Sequence, residues 1–104
     1  MNRQIVENIR QLKRKLIPNE RLILFGSQAR GDARPDSDWD LLVLLNKKGK
    51  HSNEDYYEVG FPFEETGWEF GVTINPVIFT NDEWEQGKIF PFYKNVTREG
   101  IEII

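Results

Sequence analysis

The sequence predicts an α+β fold, a two-layer α/β body in one domain covering residues 1–104, and three observations predict it. Apolar residues recur at three- and four-residue steps from Ile5 to Leu16, the spacing of an amphipathic helix. Apolar runs at Leu22–Phe25 and within Ser37–Leu45 have no helical spacing and read as strands, the first buried on both faces. Phe70–Asn75 alternates as a third strand should, with Phe70, Val72 and Ile74 on one face and Thr73 and Asn75 on the other.

Taken in order, the first helix carries Ile5, Ile9, Leu12 and Leu16 with Val6 beside them, and Pro18-Asn19 ends it. Its Arg3, Arg10, Lys13, Arg14 and Lys15 fall largely off the apolar stripe. They read as a solvated face, with contact to nucleotide phosphates or an acidic partner as the sharper alternative. Asn46–His51 follows the second strand as an exposed turn. His51 is the only histidine, and no acidic or nucleophilic companion is fixed for it by the sequence.

Asn53–Gly60 opens like a helix, with an N-cap candidate and acids in the first turn. Pro62 kinks or interrupts it, because a proline inside a helix removes a hydrogen bond and clashes with the preceding turn. Phe61, Phe63, Trp68 and Phe70 read as core. Pro76 makes the third strand an edge strand or gives it a bulge before Val77-Ile78-Phe79. Thr80–Glu85 is a capped helical turn, Phe90–Val96 a further short helix, and Gly100 stops that helix before Ile101.

Composition excludes several classes. A net charge of −3 argues against an electrostatically driven nucleic-acid binder, so RNA or DNA is disfavoured as the main partner. The absence of cysteine rules out disulfides and thiolate metal sites, and makes a reducing cytoplasm the expected compartment. No signal peptide and no apolar run near the length of a membrane span is visible, so no membrane partner is expected.

The chemistry concentrates in Gly26 to Leu44, GSQARGDARPDSDWDLLVL. The first strand stops at Gly26, which lets backbone come close to a ligand, and Ser27 brings a hydroxyl to the start of a helical turn whose free amides attract phosphate. Arg30 and Arg34 can each reach a triphosphate, or can brace the loop instead, Arg30 through Asp32 or Asp36. Asp38 and Asp40 are two residues apart on a strand, so they share a face about 6.5–7 Å apart, close enough to share one or two magnesium ions. Two such carboxylates repel each other. A divalent cation removes that cost.

These residues resemble the minimal nucleotidyltransferase family of the polymerase beta-like superfamily, whose signature is Gly-Ser, a spacer of about ten residues, then Asp-x-Asp. Gly26, Ser27, Arg30, Gly31, Ser37, Asp38, Asp40 and Leu41 stand in the matching places. The resemblance implies a small mixed β-sheet with helices packed mainly on one face. It also implies Mg²⁺-dependent transfer of a nucleoside monophosphate, AMP from ATP, to a protein hydroxyl. Asp38 and Asp40 would be the catalytic and metal-holding residues, with Gly26, Ser27 and Arg30 binding nucleotide phosphates. Small members of this kind resemble the antitoxin half of two-gene modules, paired with a HEPN-type toxin that the transferase silences.

The family usually places a third acid on the following strand, and the matching position here is Asn75. An amide oxygen can bind magnesium, but it brings no charge and cannot act as a base. Glu69, on the expected strand, replaces it only if the register differs or the strand bends at Gly71. Beside the enzyme stands the alternative of an inactive or weakened nucleotidyltransferase fold that binds a nucleotide or a partner.

Overall fold

The computed structural model describes residues 2–104. Its four strands are β1 (Arg21–Phe25), β2 (Trp39–Leu45), β3 (Ile74–Thr80) and β4 (Ile101–Ile103), in the spatial order β3-β2-β1-β4. β1 lies antiparallel to both β2 and β4, whereas β2 and β3 run parallel. The sheet is therefore mixed, as expected. Its two central strands are apolar on both sides because both sides are covered.

The larger core lies under the helices α1 (Arg3–Leu16) and α4 (Phe61–Glu69), where Ile5, Ile9 and Phe63 pack on Leu22, Leu24, Leu41, Val43, Ile74 and Ile78. The smaller core lies on the opposite face, where Trp84 of α5 (Asn81–Gln86) and Val96 of α6 (Pro91–Glu99) pack on Ile23, Leu42 and Leu44. Each such fully buried aliphatic side chain contributes about 1.5–3 kcal/mol by leaving water.

Caps fix where the helices begin. The Asn2 side chain accepts from the amides of Gln4 and Ile5 at 2.9 and 3.2 Å. Thr80 and Glu83 form a reciprocal capping box at α5. Each cap stabilises its helix by about 1 kcal/mol. One basic residue of α1 departs from the expected solvated face: Lys13 is buried, and its Nζ donates to the Pro18 carbonyl at 3.1 Å. Its stem covers core while its charge closes the turn.

The central segment differs from the sequence expectation in three places. The helix opened by α3 (Asn53–Asp55) continues through a π-helical turn, Tyr56–Gly60, into α4, where the Phe61 amide bonds the Tyr56 carbonyl and Pro62 falls in the first turn. The wider turn takes up the proline, so the helix is offset instead of broken. The Tyr56 hydroxyl donates to the Glu64 carboxylate across this offset. Burial, and then that carboxylate, push the phenol up to about 12.

The third strand begins at Ile74, not Phe70, because α4 runs to Glu69 and a turn closes after it, with Phe70 and Val72 amides on the Gly67 carbonyl. Glu69 therefore ends a helix and shares no strand with Asn75. Pro76 does sit in an edge strand, the place that tolerates a missing donor. Of the aromatics expected in the core, Phe63 is fully buried, Phe61 and Phe70 are half-buried, and Trp68 is exposed. Trp68 is on the outer side of α4, edge-on to Phe61 at 5.6 Å.

The loop after β2 is pinned at both ends. Lys47 pairs with Asp55 at 2.6 Å, and His51 Nδ1 meets Glu83 at 2.8 Å. His51 thus has an acidic companion that its sequence neighbourhood does not reveal. No helix among the described residues is long and apolar enough to cross a membrane.

Candidate active site

Asp38 precedes β2 and Asp40 is its second residue, so strand alternation turns Trp39 to one face and both acids to the other. Trp39 is buried in the core under α1, and the acids lie on the α5–α6 side. Asp38 is exposed and Asp40 half-buried. The parallel register sets Asn75 opposite Asp40. The Asn75 Nδ2 donates to Asp38 Oδ2 at 2.9 Å and to Asp40 Oδ1 at 3.3 Å. Both carboxylates therefore converge on a single nitrogen.

The Gly–Ser bend meets them from the other side. Phe25 pairs with Asp40 in the antiparallel ladder, and Gly26 follows with a φ of +77°. A Cβ on Gly26 would fall on the Asp40 Oδ2. Only glycine suits both the backbone angle and that approach. Ser27 then opens α2 (Ser27–Arg30), a single turn in which the Ala29 and Arg30 amides bond the Gly26 carbonyl at 3.1 and 3.0 Å. The turn, the two acids and Asn75 thus occupy one corner of the sheet.

Two further residues hold this corner in shape. Gln28 is buried and its Nε2 donates to the Ser37 carbonyl at 3.3 Å. The Ser37 hydroxyl in turn accepts from the Arg34 amide at 2.8 Å. Together they tie α2 to the residue before Asp38. Arg30 donates to Asp32 at 3.2 Å and to Glu99 of α6 at 3.3 Å. Its bracing alternative is realised through Asp32, not Asp36, and through an α6 residue that no local sequence signal connects to it.

The donor set can hold a divalent cation. Two carboxylates reach one point, and magnesium characteristically takes one or two carboxylates and completes its shell with water and substrate phosphate. Among the described residues no group of three His, Cys, Asp or Glu side chains that could hold a metal ion assembles.

A mixed four-stranded sheet with a Gly–Ser bend set against an Asp-x-Asp pair defines a protein of the nucleotidyltransferase class. The sequence model described as "Nucleotidyltransferase domain" matches residues 3–101, and the chain belongs to that family. A Methanocaldococcus jannaschii protein named "Putative protein adenylyltransferase" is 30% identical over 81 residues, which cover 78% of this chain and 74% of that protein. A crystal structure of a toxin-antitoxin with AMP-PNP superposes with a TM-score of 0.62 at 18% identity, over 95% of this chain and 72% of its own. At that identity the likeness is one of fold.

Proposed function

We propose that this protein transfers AMP from ATP to a hydroxyl of a partner protein. The observation that carries the reading is the approach of Gly26 to Asp40, which sets a phosphate cradle beside a carboxylate pair. The adenylyltransferase name of the archaeal relative supports the nucleotide. The toxin-antitoxin neighbour with AMP-PNP supports a protein acceptor, for which a HEPN-type toxin is our choice. The cytoplasm would supply both ATP and such a partner.

In this scheme the β,γ-phosphates lie along the Gly26–Ser27 bend, where amides preceding the first bonded turn meet their oxygens. Asp38 and Asp40 hold Mg²⁺, which when bound offsets phosphate charge. Asp40, the deeper of the two, positions the acceptor hydroxyl and receives its proton. The hydroxyl oxygen bonds the α-phosphorus as the bond to pyrophosphate breaks on the opposite side. Arg30 joins the phosphates only by exchanging Asp32 and Glu99 for them.

One observation favours a second reading. Asn75 already donates one neutral amide nitrogen to both carboxylates, an arrangement that suits a module binding nucleotide or partner without turnover. Incubation with α-labelled ATP and Mg²⁺, in the presence of the co-purified partner, separates the two. Transfer of label to the partner, lost in Asp38→Asn, supports the enzyme. A stable complex that takes no label, and that Asp38→Asn leaves intact, supports the binding module.

A further inference from the structure

A groove of about 480 Å³ opens on the face of the sheet opposite the two acids, between the start of α1 and the loop from Gly31 to Pro35. Its volume falls in the range of small-molecule sites. The walls are Ile5, Ala29, Trp39 and Val72, all part of or packed on the larger core. Two polar groups among them are unspent. Gln28 is only 8% exposed; its Nε2 is used on the Ser37 carbonyl, whereas its Oε1 accepts no hydrogen bond among the described residues. It is not sealed off either, since no buried side-chain oxygen or nitrogen among the described residues lacks a partner. Gln28 lines the groove, and Oε1 is the acceptor it has left unused there. Arg34, at the rim, bonds only through its backbone amide to Ser37 among the described residues, so its guanidinium is free.

An apolar wall, a nearly buried acceptor and a free guanidinium in one groove specify a ligand with a flat apolar body, a hydrogen-bond donor on it and an anionic group at one end. We infer that this groove binds a nucleoside monophosphate whose base carries an exocyclic amine, at a site separate from the carboxylate pair. The amine donates to Gln28 Oε1 and the phosphate pairs with Arg34. Trp39 lies between the two sites, with its ring on this face and its neighbours Asp38 and Asp40 on the other. The Gly31–Pro35 loop that walls the groove is also the segment joining the Gly–Ser bend to Asp38. Ligand in the groove consequently restrains the spacing of the proposed catalytic residues.

The test is an NMR titration of the Asp38→Asn/Asp40→Asn protein with AMP in EDTA, which removes the metal-dependent site and makes the result independent of the proposed transfer. Saturable shifts at the Gln28 side-chain amide, Ala29, Ala33, the Trp39 indole and Val72 are expected. Arg34→Ala, an exposed position, should weaken AMP by roughly tenfold, as should replacing AMP with adenosine. Inorganic phosphate alone should leave Trp39 and Val72 unmoved. The inference is overturned if AMP shifts none of these resonances at millimolar concentration. It is equally overturned if the shifts fall only on Gly26, Ser27 and the two substituted positions, or if Arg34→Ala binds AMP as tightly as its parent.

Discussion

Asn75 stands directly across the parallel ladder from Asp40, and its one amide nitrogen serves both Asp40 and Asp38. That amide sets a neutral donor between two carboxylates that repel each other. It also stands where the family resemblance places a third acid.

Replacing the amide reverses the balance. Asn75→Asp sets three carboxylates around one point, with like charges at short range and no donor between them. The variant should melt lower than the parent in EDTA, by an amount corresponding to about 1–3 kcal/mol for the lost donor. Millimolar Mg²⁺ should restore it, and label transfer should rise. Thermal melts with and without Mg²⁺ check the first part; a variant as stable in EDTA as the parent contradicts it.

Gly26→Ala tests the close approach on which the site depends. The added Cβ meets the Asp40 carboxylate, and the residue must keep a φ of +77°. Backbone strain of this kind costs about 1–3 kcal/mol, and the clash adds to it. Urea denaturation should show that loss, with nucleotide binding abolished under conditions where the variant remains folded. Gly31→Ala has the same sign of φ but open space around it, so it should lose the strain term alone and keep binding.

Acid sensitivity should come from the far end of the sheet. Burial pushes the Glu83 carboxyl up, but the Thr80 amide and the His51 bonds outweigh it and hold it below its ordinary 4.5. Lys47, then the Ser52 amide, hold Asp55 below 3.8. A carboxyl depressed in the folded state binds fewer protons than in the unfolded chain, so stability rises with pH across that window. These contributions are complete above about pH 5 and disappear as the pH falls through the lowered folded values. Urea midpoints measured from pH 7 to 3 should be flat and then fall, and Glu83→Gln should flatten the decline. An unchanged slope in Glu83→Gln would place the proton uptake elsewhere.

Most of this architecture is legible in the residues. Strand β1 and the face shared by Asp38 and Asp40 follow from alternation and apolar runs, because burial on a sheet leaves a period of two in the sequence. The Thr80–Glu83 box and the stop at Gly100 are equally local. Long-range partners are not. Glu99 meets Arg30 across 69 positions and Glu83 meets His51 across 32, and no spacing rule connects residues joined only by tertiary packing.

The segment from Pro62 to Ile74 misled for a different reason. Phe70, Val72 and Ile74 alternate, but Phe70 and Val72 pack from the turn after α4, where the backbone bends at Gly71, with a φ of +68°, before the strand begins. Periodicity does not report backbone direction. Trp68 likewise looks like core by residue type, yet it lies on the outer side of α4. At the site itself the resemblance points to Asn75 as the position of a third acid, and the fold shows that its amide bridges Asp38 and Asp40.

The most direct measurement is calorimetric titration with a non-transferable ATP analogue, methylene-bridged between the α- and β-phosphates, in Mg²⁺ and in EDTA. It is applied to the parent protein and to Asp40→Asn. Saturable binding that requires Mg²⁺, and that is lost or weakened by roughly tenfold or more in Asp40→Asn, is expected. Binding of equal strength in EDTA, or in Asp40→Asn with Mg²⁺ present, would contradict the claim that the Gly–Ser bend and the aspartate pair together hold a metal-complexed triphosphate.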